Sequence, residues 1–347
     1  MKKSIFIGID VSKDTLDVSV HSTEAAEQFI DQQFTNNTDG FNNILYWINS
    51  NGFDLDDCLF CMEHTGVYSL GIAIFLYEQG LFVSVVPALQ IKRSLGIVRG
   101  KNDKVDARRI ASFAMDKCSK LKPYEPDGEH VLRIKQLLTY RDQLRRICSS
   151  LKNSRHSHKG YTKKTGQIIV LDSINNQIEG LEKEIYKIEK KIKEIIKQDK
   201  DLNNNFKMAT SVKGVGLIVG AYILVTTSNF KKFSTSRKYC CYIGVAPFPN
   251  QSGTSIKGKT RVSNLANKRL KTLLHNSAGT AIQHDPEIKN YYQRKLKEGK
   301  DESAVKNAVC NKIVHRVFAA VKRQTPYVSL YKEKIFQKKV KKNLVIS

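Results

Sequence analysis

The stretch Ser4-Ile-Phe-Ile-Gly-Ile-Asp10 decides the reading of this chain, because it is a short apolar run that ends on an acid. Two further strand patterns follow, Thr15 to Val20 with alternating polarity and Gln28 to Phe34, so the opening reads as a three-strand meander. Beyond it, residues 40–50 have helical spacing, Leu59 to Met62 is a buried strand, Val67 to Glu78 a helix, and Leu81 to Val86 another apolar strand. A meander followed by alternating helix and strand describes an α/β layer fold with a mixed sheet.

From about Glu129 to Arg155 the pattern turns helical and charged, and residues 156–166, rich in Lys, His, Gly and Thr, read as a loop. Ile174, Ile178, Leu181, Ile185, Ile188, Ile192 and Ile195 then recur at spacings of four and three, the seam of a coiled coil. After an Asp/Asn-rich break at 199–205 a second globular part begins. There Ser211-Val-Lys-Gly-Val-Gly216 precedes a helical run, Leu217 to Val225, resembling a helix-hairpin-helix. Lys213, Gly214 and Gly216 would offer backbone N–H groups to a phosphate, or form an ordinary turn. The expected organisation is residues 1–125 as a catalytic domain, 126–204 as a helical coiled-coil stalk, 205–330 as a mainly helical C-terminal domain, and 331–347 as a basic tail.

The charge is unevenly spread. The first hundred of the 347 residues hold 6 Lys+Arg against 12 Asp+Glu and carry −6, whereas the remainder carries +31 of the formal +25 total. A basic surface of that size calls for a polyanion, and nucleic acid is the usual one, held by phosphate neutralisation and counterion release. No run of about eighteen apolar residues is present and Met-Lys-Lys-Ser leads directly into a strand pattern, so no membrane partner and a cytoplasmic location are expected. Seven scattered cysteines do not form a disulfide framework. Cys58 and Cys61 make a C-x-x-C, but no second pair follows at zinc spacing.

Phosphodiester chemistry at neutral pH needs an activated nucleophile and a stabilised leaving oxygen, and divalent cations held by converging carboxylates supply both. The first domain offers Asp10 at the end of one strand and Glu63 at the end of another. Asp103 and Asp106 lie three apart on a helical segment and so face one side of it. Any one of these could be a turn or helix cap; Asp103 in particular fits an N-cap. Asp14 and Asp17 compete with Asp10, but one sits in a turn and the other within the second strand. Gly8-Ile-Asp10 also begins sugar kinases and other actin-like ATPases, a fold that would need further glycine-rich phosphate loops downstream, and the sequence has none.

Three segments carry a family resemblance: Ile7-Gly-Ile-Asp10-Val-Ser-Lys13, Met62-Glu63-His-Thr-Gly66-Val-Tyr68, and Asn102-Asp103-Lys-Val-Asp106-Ala-Arg108. It continues through Val212-Lys-Gly-Val-Gly216, Tyr242-Ile-Gly-Val-Ala-Pro247 and Gln251-Ser-Gly-Thr-Ser-Ile-Lys-Gly-Lys-Thr-Arg261 to the helical end near Pro326. With these the chain resembles the DEDD transposases of the insertion-sequence-one-ten type, which include the Piv DNA invertases, over nearly its full length. The resemblance implies a RuvC-like ribonuclease H fold in the first domain, with Asp10, Glu63, Asp103 and Asp106 as ligands of Mg²⁺, for which Mn²⁺ can substitute. It also implies a serine nucleophile, Ser252, that forms a covalent phosphoserine with DNA while the metal site of another subunit completes the active centre. Such enzymes act on donor and target DNA, guided by a structured non-coding RNA that pairs with both.

Read alone, Asn250 to Thr260 is a polar loop or hairpin in which a Ser-Gly turn is unremarkable, and Ser255 is a competing hydroxyl. A hydroxyl nucleophile needs activation, and Lys257, Lys259 and Arg261 lie close enough in sequence to hold a phosphate. Arg155, His156, His158, Lys159, Lys163 and Lys164 have the composition of a nucleic-acid-binding loop, and Lys92, Arg93, Arg99 and Lys101 form a basic stretch in the first domain. Two duplexes must be held together for strand exchange, so a dimer, or a tetramer on DNA, is expected. Two rival readings use the same residues: a Holliday-junction-type nuclease working with the four carboxylates alone, and a nucleic-acid-binding remnant without catalysis. Acids at all four positions argue against the second.

Overall fold

The computed structural model describes residues 3–24, 28–94, 103–165, 169–252 and 256–328, and the chain divides into two compact units, Met1–Pro126 and Asp127–Ser347. In the first unit β1 (Ile5–Val11), β2 (Thr15–Ser22) and β3 (Phe29–Thr35) form the meander, followed by α1 (Thr38–Ser50), β4 (Cys58–Glu63), α2 (Leu70–Glu78), β5 (Phe82–Val86), α3 (Ala88–Ser94) and α4 (Asp103–Lys117). The sheet order is β3-β2-β1-β4-β5, with β1 antiparallel to β2 and parallel to β4, and β4 parallel to β5.

The central strands are buried on both faces, which is why β1 and β4 read as nearly continuous apolar runs. One face, with Ile5, Ile7, Ile9, Leu16, Val18, Phe60 and Met62, packs on Phe41, Ile44 and Ile48 of α1 and Ile72 and Leu76 of α2. The other, with Phe6, Leu59, Cys61 and Val86, packs on Ile91 of α3 and Ile110, Phe113 and Ala114 of α4. Contact between β1 and α4 is closest at Gly8, where a Cβ would lie 2.1 Å from the Ala107 carbonyl oxygen and 2.4 Å from the Ala111 nitrogen. Only glycine lets the helix reach the strand backbone there. At the far edge the buried Asp31 of β3 accepts from Arg108 Nε at 3.0 Å and pairs with Lys104 Nζ at 3.3 Å, tying the start of α4 to the meander.

The second unit begins with α5 (Glu129–Thr165), α6 (Ile169–Gln198), α7 (Lys200–Thr210), α8 (Leu217–Thr226) and α9 (Ser236–Ile243). A two-stranded hairpin, β6 (Pro247–Ser252) and β7 (Ile256–Val262), precedes α10 (Lys268–His284), α11 (Pro286–Lys297) and α12 (Glu302–Arg323). Residues 156–165, expected as a loop, are helical. A lone Gly160 costs a helix about 1 kcal/mol relative to Ala, too little to end a 37-residue helix that contains no proline. The break expected at 199–205 shrinks likewise to Asp199, whose carboxylate caps α7 by accepting from the backbone nitrogens of Asp201 and Leu202 at 2.9 Å.

The isoleucine stripe of α6 is buried against Ile134, Leu138, Leu144 and Cys148 of α5. Arg141 pairs with Glu189 and Lys152 with Glu182, so position rises along α5 as it falls along α6 and the two helices run antiparallel. The same apolar cluster takes in Leu202 of α7 and Ala221 and Leu224 of α8. Asp142 of α5, nearly buried, is held by Arg269 of α10 and by the Tyr222 hydroxyl at 2.6 Å. Burial and then this carboxylate push the Tyr222 phenol up to about 12, so it stays a donor. A second cluster of α8 to α12 closes around the fully buried Tyr239. Among the described residues no helix is long and apolar enough to cross a membrane.

Candidate active site

Alternation along a strand decides which acids meet. In β1 the odd residues Ile5 to Val11 face α1 and α2, so Phe6, Gly8 and Asp10 face α4. In β4, Cys58, Phe60 and Met62 share the first face and Leu59 and Cys61 the second, which puts Glu63 on the α4 side. Ile9 pairs with Met62 across parallel strands, so Asp10 and Glu63 are adjacent at the C-terminal ends of neighbouring strands. Both are partly exposed. Asp106, one turn into α4 and next to the Ala107 that seats on Gly8, is brought to the same face, where it accepts from Arg109 at 2.6 Å. Asp103 is the first residue of α4, a position the helix dipole favours for an acid; its side chain lies outside the described residues.

The pairing also brings in a carboxylate that sequence reasoning ranked lower. Asp10 lies directly opposite Asp17 of β2, which faces α4 as well, and Gln33 donates its amide to both Asp17 oxygens at 3.1 and 3.2 Å. Directly opposed side chains sit about 5 Å apart, and like charges there repel. The hairpin register could have revealed this: once Val11 pairs with Leu16, Asp10 must pair with Asp17. Asp31 was missed for the same reason, since its significance depends on Arg108 from 77 residues further on.

These donors are all carboxylate oxygens, the hard ligands that Mg²⁺ or Mn²⁺ prefers. Among the described residues no three His, Cys, Asp or Glu side chains already converge into a group that could hold an ion. The thiols of the C-x-x-C do not join the set. Three residues apart on a strand, Cys58 and Cys61 point to opposite faces of the sheet, and burial pushes both up to about 12.

In the second unit Ser252 ends β6 opposite Ile256 of β7, which makes the expected polar segment a hairpin. The side chains of Ser252, Lys257 and Lys259 lie outside the described residues, as does all of Ser255. Arg261 is exposed on β7. Gly214 has φ +92°, and a Cβ on it would lie 2.4 Å from the Ser277 carbonyl oxygen. Packing against α10 therefore explains that glycine fully, while Lys213 and Gly216 remain exposed before α8. Arg155, His156 and His158 sit on the last turns of α5 rather than on a loop. The side chains of Lys159, Lys163 and Lys164 lie outside the described residues. Lys92 and Arg93 are exposed on α3; Arg99 and Lys101 fall outside the described residues.

Paired acids at strand ends beneath a helix thus mark a mixed-sheet α/β unit, joined in sequence to a mainly helical one. Residues 7–159 match the family model of IS110-type DEDD transposases, and residues 207–293 match that of the transposase IS116/IS110/IS902 family. The chain belongs to the IS110-type transposases, enzymes of DNA transposition and recombination. It is 24% identical over 331 residues to the pilin gene-inverting proteins of Moraxella bovis and Moraxella lacunata, a match covering 93% of this chain and 97% of theirs. A protein of insertion element IS110 from Streptomyces coelicolor is 32% identical over 120 residues, 35% of this chain and 29% of that one. RuvC from T. thermophilus, solved in complex with a Holliday junction substrate, aligns at 13% identity over 35% of this chain and 99% of its own, with a TM-score of 0.26. The mixed sheet with helices on both faces fits the α/β layer fold expected for the first domain.

Proposed function

We propose that this transposase cuts and rejoins donor and target DNA with two catalytic parts, a divalent-metal site in the first unit and the Ser252 hydroxyl in the second, under the direction of a non-coding guide RNA. The observation that carries the reading is the adjacency of Asp10 and Glu63 on neighbouring parallel strand ends, on the face crossed by the helix that bears Asp103 and Asp106. Those four carboxylates would hold Mg²⁺, which when bound activates the attacking oxygen and neutralises charge on the phosphate and leaving oxygen.

Ser252 Oγ attacks the phosphorus, one P–O bond forms as the bond to the departing strand breaks, and the released oxygen takes up a proton. Lys257, Lys259 and Arg261 hold the phosphate and its developing charge. The paired α5 and α6 serve as an assembly stalk through which a dimer, or a tetramer on DNA, brings one subunit's carboxylates to another's serine. The exposed Lys92, Arg93, Lys213 and His156 add contacts to RNA and DNA backbone.

The test incubates the purified chain with guide RNA, donor DNA and target DNA under Mg²⁺. Asp10→Asn is expected to lower strand cleavage on the order of 10³-fold, comparable to losing a main transition-state stabiliser, and to keep nucleic-acid binding. Ser252→Ala is expected to abolish the denaturation-resistant protein–DNA adduct while Mg²⁺ binding persists. Cleavage at the normal rate by Asp10→Asn, or an adduct formed by Ser252→Ala, rules the scheme out.

A further inference from the structure

Behind the base of the β6–β7 hairpin lies a cavity of about 970 Å³, walled by β7, α10 and α12. Arg261, Lys271, His275, Lys312 and His315 line it, and among the described residues no carboxylate does. Three fixed cations thus share one concave wall with no described acid between them, whereas Lys183, Lys187, Lys295 and Lys306 on the helix surfaces each face a glutamate of their own helix. Desolvation, and after it Lys271 and Lys306, lower the pKa of His275, so the fixed cations of the wall are Arg261, Lys271 and Lys312. Lys312 is held in place by its ammonium 4.4 Å above the Tyr291 ring, and His315 by a 2.8 Å hydrogen bond between its Nδ1 and the Ser236 hydroxyl.

Asn307 adds an independent observation. Its Nδ2 donates to the Val245 carbonyl at 2.8 Å, while its Oδ1, on the cavity wall, is buried with no partner among the described residues. A buried acceptor without a donor costs about 1–3 kcal/mol, so it marks a place where a ligand's donor belongs. A phosphodiester group alone has none to give. A nucleotide supplies both parts: phosphate oxygens for the cations and an exocyclic amine or sugar hydroxyl as donor to the amide oxygen.

We propose that this cavity seats an unpaired phosphodiester strand, with its phosphates on Arg261, Lys271 and Lys312 and one nucleoside donor on Asn307 Oδ1. The strand enters beside the hairpin that carries Ser252, so the seat delivers single-stranded nucleic acid to the second catalytic part. Guide RNA and displaced DNA share this chemistry. The proposal rests on the chain acting on nucleic acid but not on the metal or serine chemistry.

Binding of full-length protein to labelled 20-nucleotide single strands, one DNA and one RNA of the same sequence, is measured in EDTA across a salt series, which removes catalysis from the readout. The Lys271→Ala/Lys312→Ala double variant is compared with the wild type and with Lys183→Ala/Lys187→Ala on the exposed face of α6, each shown by its melting curve to be folded. Loss of two phosphate contacts should lower the salt slope by about 1.4 and weaken binding about tenfold near 0.1 M salt. Loss on RNA alone assigns the seat to the guide, on DNA alone to a displaced strand, and on both to either in turn. An unchanged slope, or an equal loss in the α6 control, overturns the proposal. Because binding is read in EDTA, failure of the metal reading leaves this result separate.

Discussion

The two units hold their functional side chains by different means. In the first, acids sit at the ends of buried strands and on a helix pressed against one of them, so backbone contact at Gly8 and an ion-pair cluster at Asp31 set their positions. In the second, cationic groups are distributed over a hairpin and the faces of two helices, and their positions follow from apolar packing around Tyr239. Carboxylates that must share one cation tolerate little displacement, whereas phosphate contacts along a strand act additively and at longer range. On the proposed scheme a small displacement should therefore disturb metal binding in the first unit more steeply than strand binding in the second.

Gly8→Ala challenges that contrast most directly. The new methyl group meets backbone at 2.1 and 2.4 Å, so α4 must move off β1. We expect a loss of about 1–3 kcal/mol of stability in the first unit, as for other overpacked sites, and cleavage reduced far beyond what unfolding explains, with strand binding intact. Its counterpart, Gly214→Ala, meets the Ser277 carbonyl at 2.4 Å with a positive φ and should cost a similar amount in the second unit, while Mg²⁺ binding is unaffected. Calorimetry with cleavage assays checks both, and equal catalytic losses would erase the contrast.

Asp31→Asn comes next. Burial works to raise the pKa of Asp31, but the bonds from Arg108 and Lys104 prevail and hold it below the ordinary carboxylate range. Its folded pKa being depressed, the stabilisation is present above the unfolded value near 3.9 and is lost as pH falls through the folded one. Asparagine should cost about 1–3 kcal/mol at neutral pH, with a shallower acid limb of the stability curve. A wild-type acid limb would show that the cluster does not hold α4.

The smallest effect belongs to His21, which is buried on the α4 face, has no partner for either ring nitrogen among the described residues, and meets Phe29 edge-on at 4.4 Å. Burial lowers its pKa, and Asp116 opposes that only in part. The unfolded chain then takes up a proton first, so stability falls as pH drops below about 6.5. His21→Phe should remove a small part of the loss between pH 7 and 5.5, read from melting temperatures across that window; an unchanged slope would exclude the ring as its source.

The amino-acid sequence by itself determined the strand and helix order of the first unit, the long isoleucine stripe, and Asp10, Glu63, Asp103 and Asp106 as the acids to watch, because period and strand-end position are local properties. It misjudged residues 156–165 and 199–205, where lysine- and asparagine-rich composition suggested breaks that continuous helical hydrogen bonding and one aspartate cap override. Only the tertiary structure decided that Asp17 opposes Asp10, that Cys58 and Cys61 part to opposite faces, that Gly214 packs against α10, and that Arg261, Lys271 and Lys312 from three elements share one cavity. Each of these depends on which segments become neighbours across tens of residues, and no local pattern carries that information until strand pairing and helix packing bring them together.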